Sequence, residues 1–169
     1  SVNRDRVLQF LAEEYKLKAE EKMLEWMGGE YALVITEPSG ENYDNNSFAI
    51  FKAKKPQEAI AQLKTISRII DKKDNSITKE EGYNDHTIGL IKINNLLPAM
   101  FGNQFKMMTR MYYTSIGNYI VFANQASSLR SFIDDYENGA VLTKDSDFSS
   151  ATEGISGKGS CFVHVNPAA

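Results

Sequence analysis

The residue types that could ligate a soft metal are few. The chain holds two histidines, His86 and His164, and one cysteine, Cys161. A structural zinc site wants four nitrogen or sulfur ligands, so this trio would have to recruit a carboxylate. Cys161 and His164 lie three apart in a segment that reads as a strand, so their side chains point to opposite faces. That spacing favours a core cysteine and ordinary histidines, and no metal or other cofactor is expected. A calcium loop needs oxygen ligands at positions 1, 3 and 5, glycine at 6 and glutamate at 12. A loop opening at Asn42, with Asp44 and Asn46, has Ser47 and Ala53 at the last two places. One opening at Asp71 has Lys73 at its third place. Both read as solvated turns.

Nucleophilic catalysis has no motif behind it. Gly154-Ile155-Ser156-Gly157-Lys158 fails a nucleophile elbow at its last position. No P-loop and no GxGxxG occurs. Asp134-Asp135 and Glu80-Glu81 are sequence neighbours. Neighbours on a helix splay by ~100°, so Asp134-Asp135 would not converge on one substrate atom. No catalytic residue is therefore expected, and an enzyme of unrecognised type would need a polar cleft holding a carboxylate or histidine with a displaced pKa.

Two stretches could bind rather than react. Leu96 to Tyr113 gathers four of the six methionines with two phenylalanines and two tyrosines. Methionine side chains are flexible and polarisable, so Met100, Phe101, Phe105, Met108 and Met111 could line an adaptable groove for a lipid or peptide. The same residues read more readily as core, because apolar residues are usually buried, or would be covered by the remainder of a longer protein. Lys64, Arg68 and Lys72 recur every fourth residue, a basic stripe that reads as a solvated face or a contact for an anionic partner. The stripe lies in a locally basic stretch, residues 52–82, with eight basic and five acidic side chains; residues 126–169 carry three basic and six acidic.

These residues sit in a chain of 169 with net charge −3, 42% apolar and 24% charged. Such a composition can bury a core and is too apolar for a disordered tail. Net acidity argues against a general nucleic-acid binder. No apolar run approaches the ~18–20 residues that span a bilayer. The start, SVNRDRVLQF, is charged at once and shows no signal peptide. One cysteine allows no internal disulfide.

The elements that must position these residues follow from hydrophobic period. Asn3 predicts an N-cap for a helix carrying Val7, Leu8, Leu11, Tyr15, Met23, Trp26 and Met27, stopped by Gly28-Gly29. Strands follow at 30–36 and 47–53. Pro56 opens a helix whose apolar stripe is Ala59, Ile60, Leu63, Ile66 and Ile70. Residues 71–84 read as a loop, 86–93 as a strand and 94–105 as a short helical turn stopped by Gly102. A hairpin, 107–115 and 119–125, turns at Ile116-Gly117-Asn118. Leu129, Phe132, Ile133 and Tyr136 make a last amphipathic helix stopped by Gly139, Asp145 caps a further short one, and 160–165 is a final strand. The whole predicts a single α+β domain, 1–169. Its sheet is mostly antiparallel and built from strand-strand-helix units, with helices covering one face. Strands such as Phe48-Ala49-Ile50-Phe51 are apolar on both sides, so part of the sheet should be covered on both.

A weak internal repeat joins 28–70 to 105–139, with a third strand start at 157–167: GGEYALVITEP has the shape of GKGSCFVHVNP, and Phe51 and Phe122 hold the same place in their strands. The chain ends where another hairpin partner would begin and so reads as a fragment of a longer repetitive protein. Three segments, EWMGGEYALVITEP, GNYIVFANQASSLRSFIDDYENG and SGKGSCFVHVNP, resemble a Bacteroidetes envelope-protein family known as domain of unknown function 3352. The resemblance spans about Trp26 to Pro167 and implies a longer parent in the periplasm or cell envelope, with no activity or ligand attached. The expected function is a non-enzymatic binding or scaffolding module, its partners being other parts of the parent or an envelope protein. The alternatives are an apolar-ligand carrier and an enzyme of unrecognised type.

Overall fold

The computed structural model describes residues 2–16, 18, 21–22, 25–36, 45–142 and 159–165. Seven strands form one sheet: β1 (Met27–Thr36), β2 (Ser47–Ala53), β3 (Glu81–Tyr83), β4 (His86–Ile91), β5 (Met111–Ile116), β6 (Tyr119–Ala123) and β7 (Gly159–Val165). Their order is β3-β4-β5-β6-β2-β1-β7, and every neighbouring pair is antiparallel. Helices α1 (Val2–Glu14), α2 (Pro56–Asp74), α3 (Leu96–Phe101) and α4 (Ala126–Glu137) complete the described elements, with a 3₁₀ turn at Asn103–Phe105. The chain is an α+β fold.

The central strands are apolar on both faces because both faces are covered. On one side Ala49, Phe51 and Ala53 of β2 and Ile120 and Phe122 of β6 meet Ala59, Leu63, Ile66 and Ile70 of α2 and Leu11 of α1. On the other, Phe48 and Ile50, with Val121 and Ala123, meet Leu129, Phe132 and Ile133 of α4. Helices α2 and α4 lie over the same strands, β4, β5 and β6, from opposite sides. The expectation drawn from β2, that part of the sheet is covered on both faces, holds, and the general one of helices on a single face does not. A 3.6-residue stripe says that a helix buries one side, and says nothing about which face of a sheet it meets.

The two hairpins meet in a symmetric register. Phe51 pairs with Ile120, Ile50 with Val121 and Ala49 with Phe122, so a local two-fold passes through the Ile50–Val121 pair. Each phenylalanine faces a tyrosine on the preceding strand, Tyr31 opposite Phe51 and Tyr113 opposite Phe122. Two-residue Gly117-Asn118 closes the second hairpin, with Gly117 at φ 55° where a primed turn needs it.

Several boundaries move. Helix α1 ends at Glu14, and Gly28 and Gly29 lie inside β1, where a bulge between Met27 and Tyr31 uses Gly29 at φ 87°. Asn3 lies in the first turn of α1 rather than before it. Strand β5 begins at Met111, four residues after the expected start. The stretch 71–84, expected as loop, completes α2 through Asp74 and forms β3. The Asp145 cap lies outside the described residues. Strand β3 is polar because α4 holds it by polar contacts. Arg130 Nη1 donates to both Glu81 carboxylate oxygens at 2.6 and 2.9 Å, and the Tyr83 hydroxyl donates to Asp134 at 2.8 Å. Asn84 donates to Glu137 at 2.8 Å. The bond to Asp134 raises the pKa of the Tyr83 hydroxyl.

Gly89 of β4 sits opposite Tyr113 of β5, whose ring folds across it. An added Cβ would fall 2.8 Å from Tyr113 Cε1 and closer still to Cζ. Burial raises the pKa of that tyrosine hydroxyl, with Glu80 adding to the effect and Arg68 opposing it. Gly89→Ala is expected to cost about 2 kcal/mol by overpacking. In urea denaturation the loss should shrink in a Tyr113→Ala background, where the ring is gone; an equal loss in both backgrounds would place the cause in the backbone.

Candidate functional site

The described surface is indented where α1 crosses the end of β4. The loop leaving β4, residues 92–95, runs beside the loop entering β5. Asn95, at φ 61°, donates its N–H to the Thr109 carbonyl at 2.9 Å. Buried Asn124 fixes the second loop: its Oδ1 accepts from the backbone N–H groups of Thr109 (2.9 Å) and Arg110 (3.1 Å), and its Nδ2 donates to the Met107 carbonyl (2.8 Å). Lys92 and Arg110 are thereby carried side by side on adjoining loops. Helix α1 is anchored by buried Leu11 and by the Tyr15 hydroxyl, which donates to Asp74 at 2.9 Å. One turn earlier it turns Arg6, Val7 and Phe10 toward the loops.

The result is a cleft of about 420 Å³. Val7, Phe10, Leu90, Ile91 and Ile93 supply apolar walls, and Arg6, Lys92, Asn94 and Arg110 supply the polar groups. Phe10 is 49% exposed although it is aromatic. The three charged lining groups are all cations. Lys92 is shared with Asp71, whose carboxylate lies 4.0 Å from Nζ. Burial pushes that carboxyl's pKa up, but bonds from the Thr78 hydroxyl and N–H and the Ser76 hydroxyl, with the Lys92 charge, outweigh it and hold it below the usual value. Among the described residues neither Arg6 nor Arg110 makes an ion pair. The Arg110 guanidinium lies 5.3 Å from the centroid of the Tyr112 ring, a cation–π contact that restrains it. Such a cleft can hold an apolar body and neutralise an anion. No carboxylate, histidine, cysteine or serine lines it, and Lys92 is its one lining group of a type that can act as base or nucleophile.

Compared with protein-family models, curated proteins and solved structures, the chain gives no significant match.

The residues singled out in sequence lie elsewhere. Met100, Phe105, Met108 and Met111 are buried in the core beneath α1 and α3, and Phe101 packs against them. They fill the helix–sheet interface, and none of the five lines the cleft, so their placement is that of the core alternative. Of the basic stripe, Lys64 pairs with Glu80 at 3.5 Å, while Arg68 and Lys72 are exposed. The His86 Nδ1–H donates to the Ser115 carbonyl at 3.0 Å, its Nε2 stands 3.8 Å from Glu137, and its ring meets Tyr136 edge-on. The side chains of Cys161 and His164 lie outside the described residues. Among the described residues no three histidine, cysteine or acidic side chains gather closely enough for a metal ion. The Asp71 loop is the C-terminal cap of α2, with Asn75 left-handed at φ 53°. Glu80 and Glu81 diverge to Lys64 and Arg130, and no helix is long and apolar enough to cross a membrane among the described residues.

Sequence reasoning missed Arg6, Phe10, Lys92 and Arg110. One signal was present: Phe10 is an aromatic residue off the Val7, Leu8, Leu11, Tyr15 stripe, one turn after Arg6. The Phe10 ring packs edge-on against Tyr15 at a centroid distance of 5.7 Å and leaves about half of its surface open.

Proposed function

We propose that this chain is a non-enzymatic binding module that works through the cleft between α1 and the end of β4. The observation that carries this reading is the composition of the cleft: an apolar wall with a half-exposed Phe10 beside two cations without ion-pair partners among the described residues. An apolar concavity with a few convergent polar groups is a recurring mark of binding sites. The envelope location of the parent protein is part of the proposal and rests on the three resembling segments. Scaffolding within the parent fits the same cleft if another of its segments lies there.

The test is site-specific photo-crosslinking in cells that express the parent protein, with the photoreactive amino acid replacing Phe10 and, as control, Ser131 on the exposed side of α4. A discrete adduct from position 10 and none from 131 is the expected result. Equal labelling at both positions, or none at 10, would remove the cleft as a binding site.

A further inference from the structure

Resting on that reading of the cleft, we propose that its ligand is a single-chain anionic amphiphile, a small molecule with an acyl-like body and one anionic head group. Three observations combine. First, the size is that of a small-molecule site: about 420 Å³ falls in the range that such ligands occupy. A folded protein partner needs instead a broad face of about 800 Å² per side. Second, the walls suit a flexible apolar chain. Ile91 is buried at the base while Phe10 leaves half of its surface to solvent, so an acyl chain lying between them would remove apolar area from water on both sides.

Third, the charges select the head group. Arg6 and Arg110 contribute two guanidinium groups with no carboxylate among the lining residues. A guanidinium presents its N–H donors as a planar fork, which matches the two oxygens of a carboxylate or phosphate. The Arg110 guanidinium lies 5.3 Å from the Tyr112 ring centroid, and the residue's backbone N–H is already held by Asn124. Lys92, shared with Asp71, adds a weaker positive field. A cationic ligand would be repelled, and a neutral one would gain nothing from either guanidinium.

Isothermal titration of the 169-residue chain with decanoate, below its micelle concentration, tests this, with decanol as the neutral body and acetate as the head alone. Saturable one-to-one binding of decanoate is expected, with decanol weaker by about tenfold or more and acetate silent. Arg6→Glu and Arg110→Glu should each weaken decanoate binding by about tenfold; Arg110→Gln, on a loop, serves if Arg6→Glu disturbs α1 by circular dichroism. Equal affinity for decanoate and decanol, no saturable binding of decanoate, or binding that ignores the arginine variants would overturn the proposal. A protein adduct at position 10 with decanoate silent would discard the ligand class and keep the cleft as a site. No adduct and no decanoate binding would discard both.

Discussion

Phe51→Ala is expected to lower the stability of this domain by about 4 kcal/mol, the cost typical of emptying a fully buried phenylalanine site. Phe51 is where the core converges. Its ring contacts those of Trp26, Tyr31, Phe101, Phe105 and Phe122 at centroid distances of 6.3, 5.8, 5.4, 5.9 and 5.6 Å. These partners arrive from the segment before β1, from β1, from α3, from the 3₁₀ turn and from β6. Truncation would leave a cavity that five differently anchored rings cannot all move to fill. Such a loss should lower the unfolding midpoint by roughly 10 °C in a chain of this size. Phe51→Leu keeps much of the volume and should cost less than half as much. Equal and small losses for both variants, measured by calorimetry, would show that the ring cluster is not the centre of the core.

Asn124→Ala should be nearly as damaging, at about 3 kcal/mol, though it removes little apolar area. Asn124 is 1% exposed and makes three hydrogen bonds, all to backbone groups of the loop before β5. Its loss leaves two N–H donors and one carbonyl to find other partners, and an unsatisfied buried polar group costs ~1–3 kcal/mol. Asn124→Asp separates the parts of this argument. A carboxylate can still accept from Thr109 and Arg110 but presents an acceptor to the Met107 carbonyl, so it should be destabilising too. The same variants should weaken ligand binding, because the loop that carries Arg110 loses its tether. Wild-type stability in Asn124→Ala by urea denaturation would mean that the loop holds its shape by other means.

Much of this architecture was legible in the sequence, and the parts that were not share a cause. Strand β2 begins and ends at the expected residues, 47 and 53, because its run of β-formers is bounded by polar residues on both sides. Helix α2 starts at Pro56 with its stripe facing the core, since proline at N1 and a 3.6-residue period are local signals. Errors arose where a partner distant in sequence decides the structure. Glu81-Gly82-Tyr83 is too polar to read as a strand, yet Arg130 and Asp134, about 50 residues later, make it one. Met100, Phe105, Met108 and Met111 have the composition of either a groove or a core, and only α1, α2 and the sheet around them settle which. The cleft has no sequence pattern of its own. It exists because residues of α1 meet the loops on either side of α3, and Arg6 and Arg110 are over 100 positions apart.

The two-fold at the Ile50–Val121 pair has a consequence for how the chain reaches its native state. Helix α2 follows the β1–β2 hairpin but lies over β4, β5 and β6, the strands that α4 covers from behind. The β5–β6 hairpin is followed by α4, which packs on both of its strands, whereas the helix after the β1–β2 hairpin goes to the other half of the sheet. The pairing that joins the halves links residues 71 positions apart, whereas β4, β5 and β6, on which α2 docks, are joined to one another without it. Loop closure of that length comes before most of its reward. Such a topology makes the β2–β6 pairing the slow step of folding.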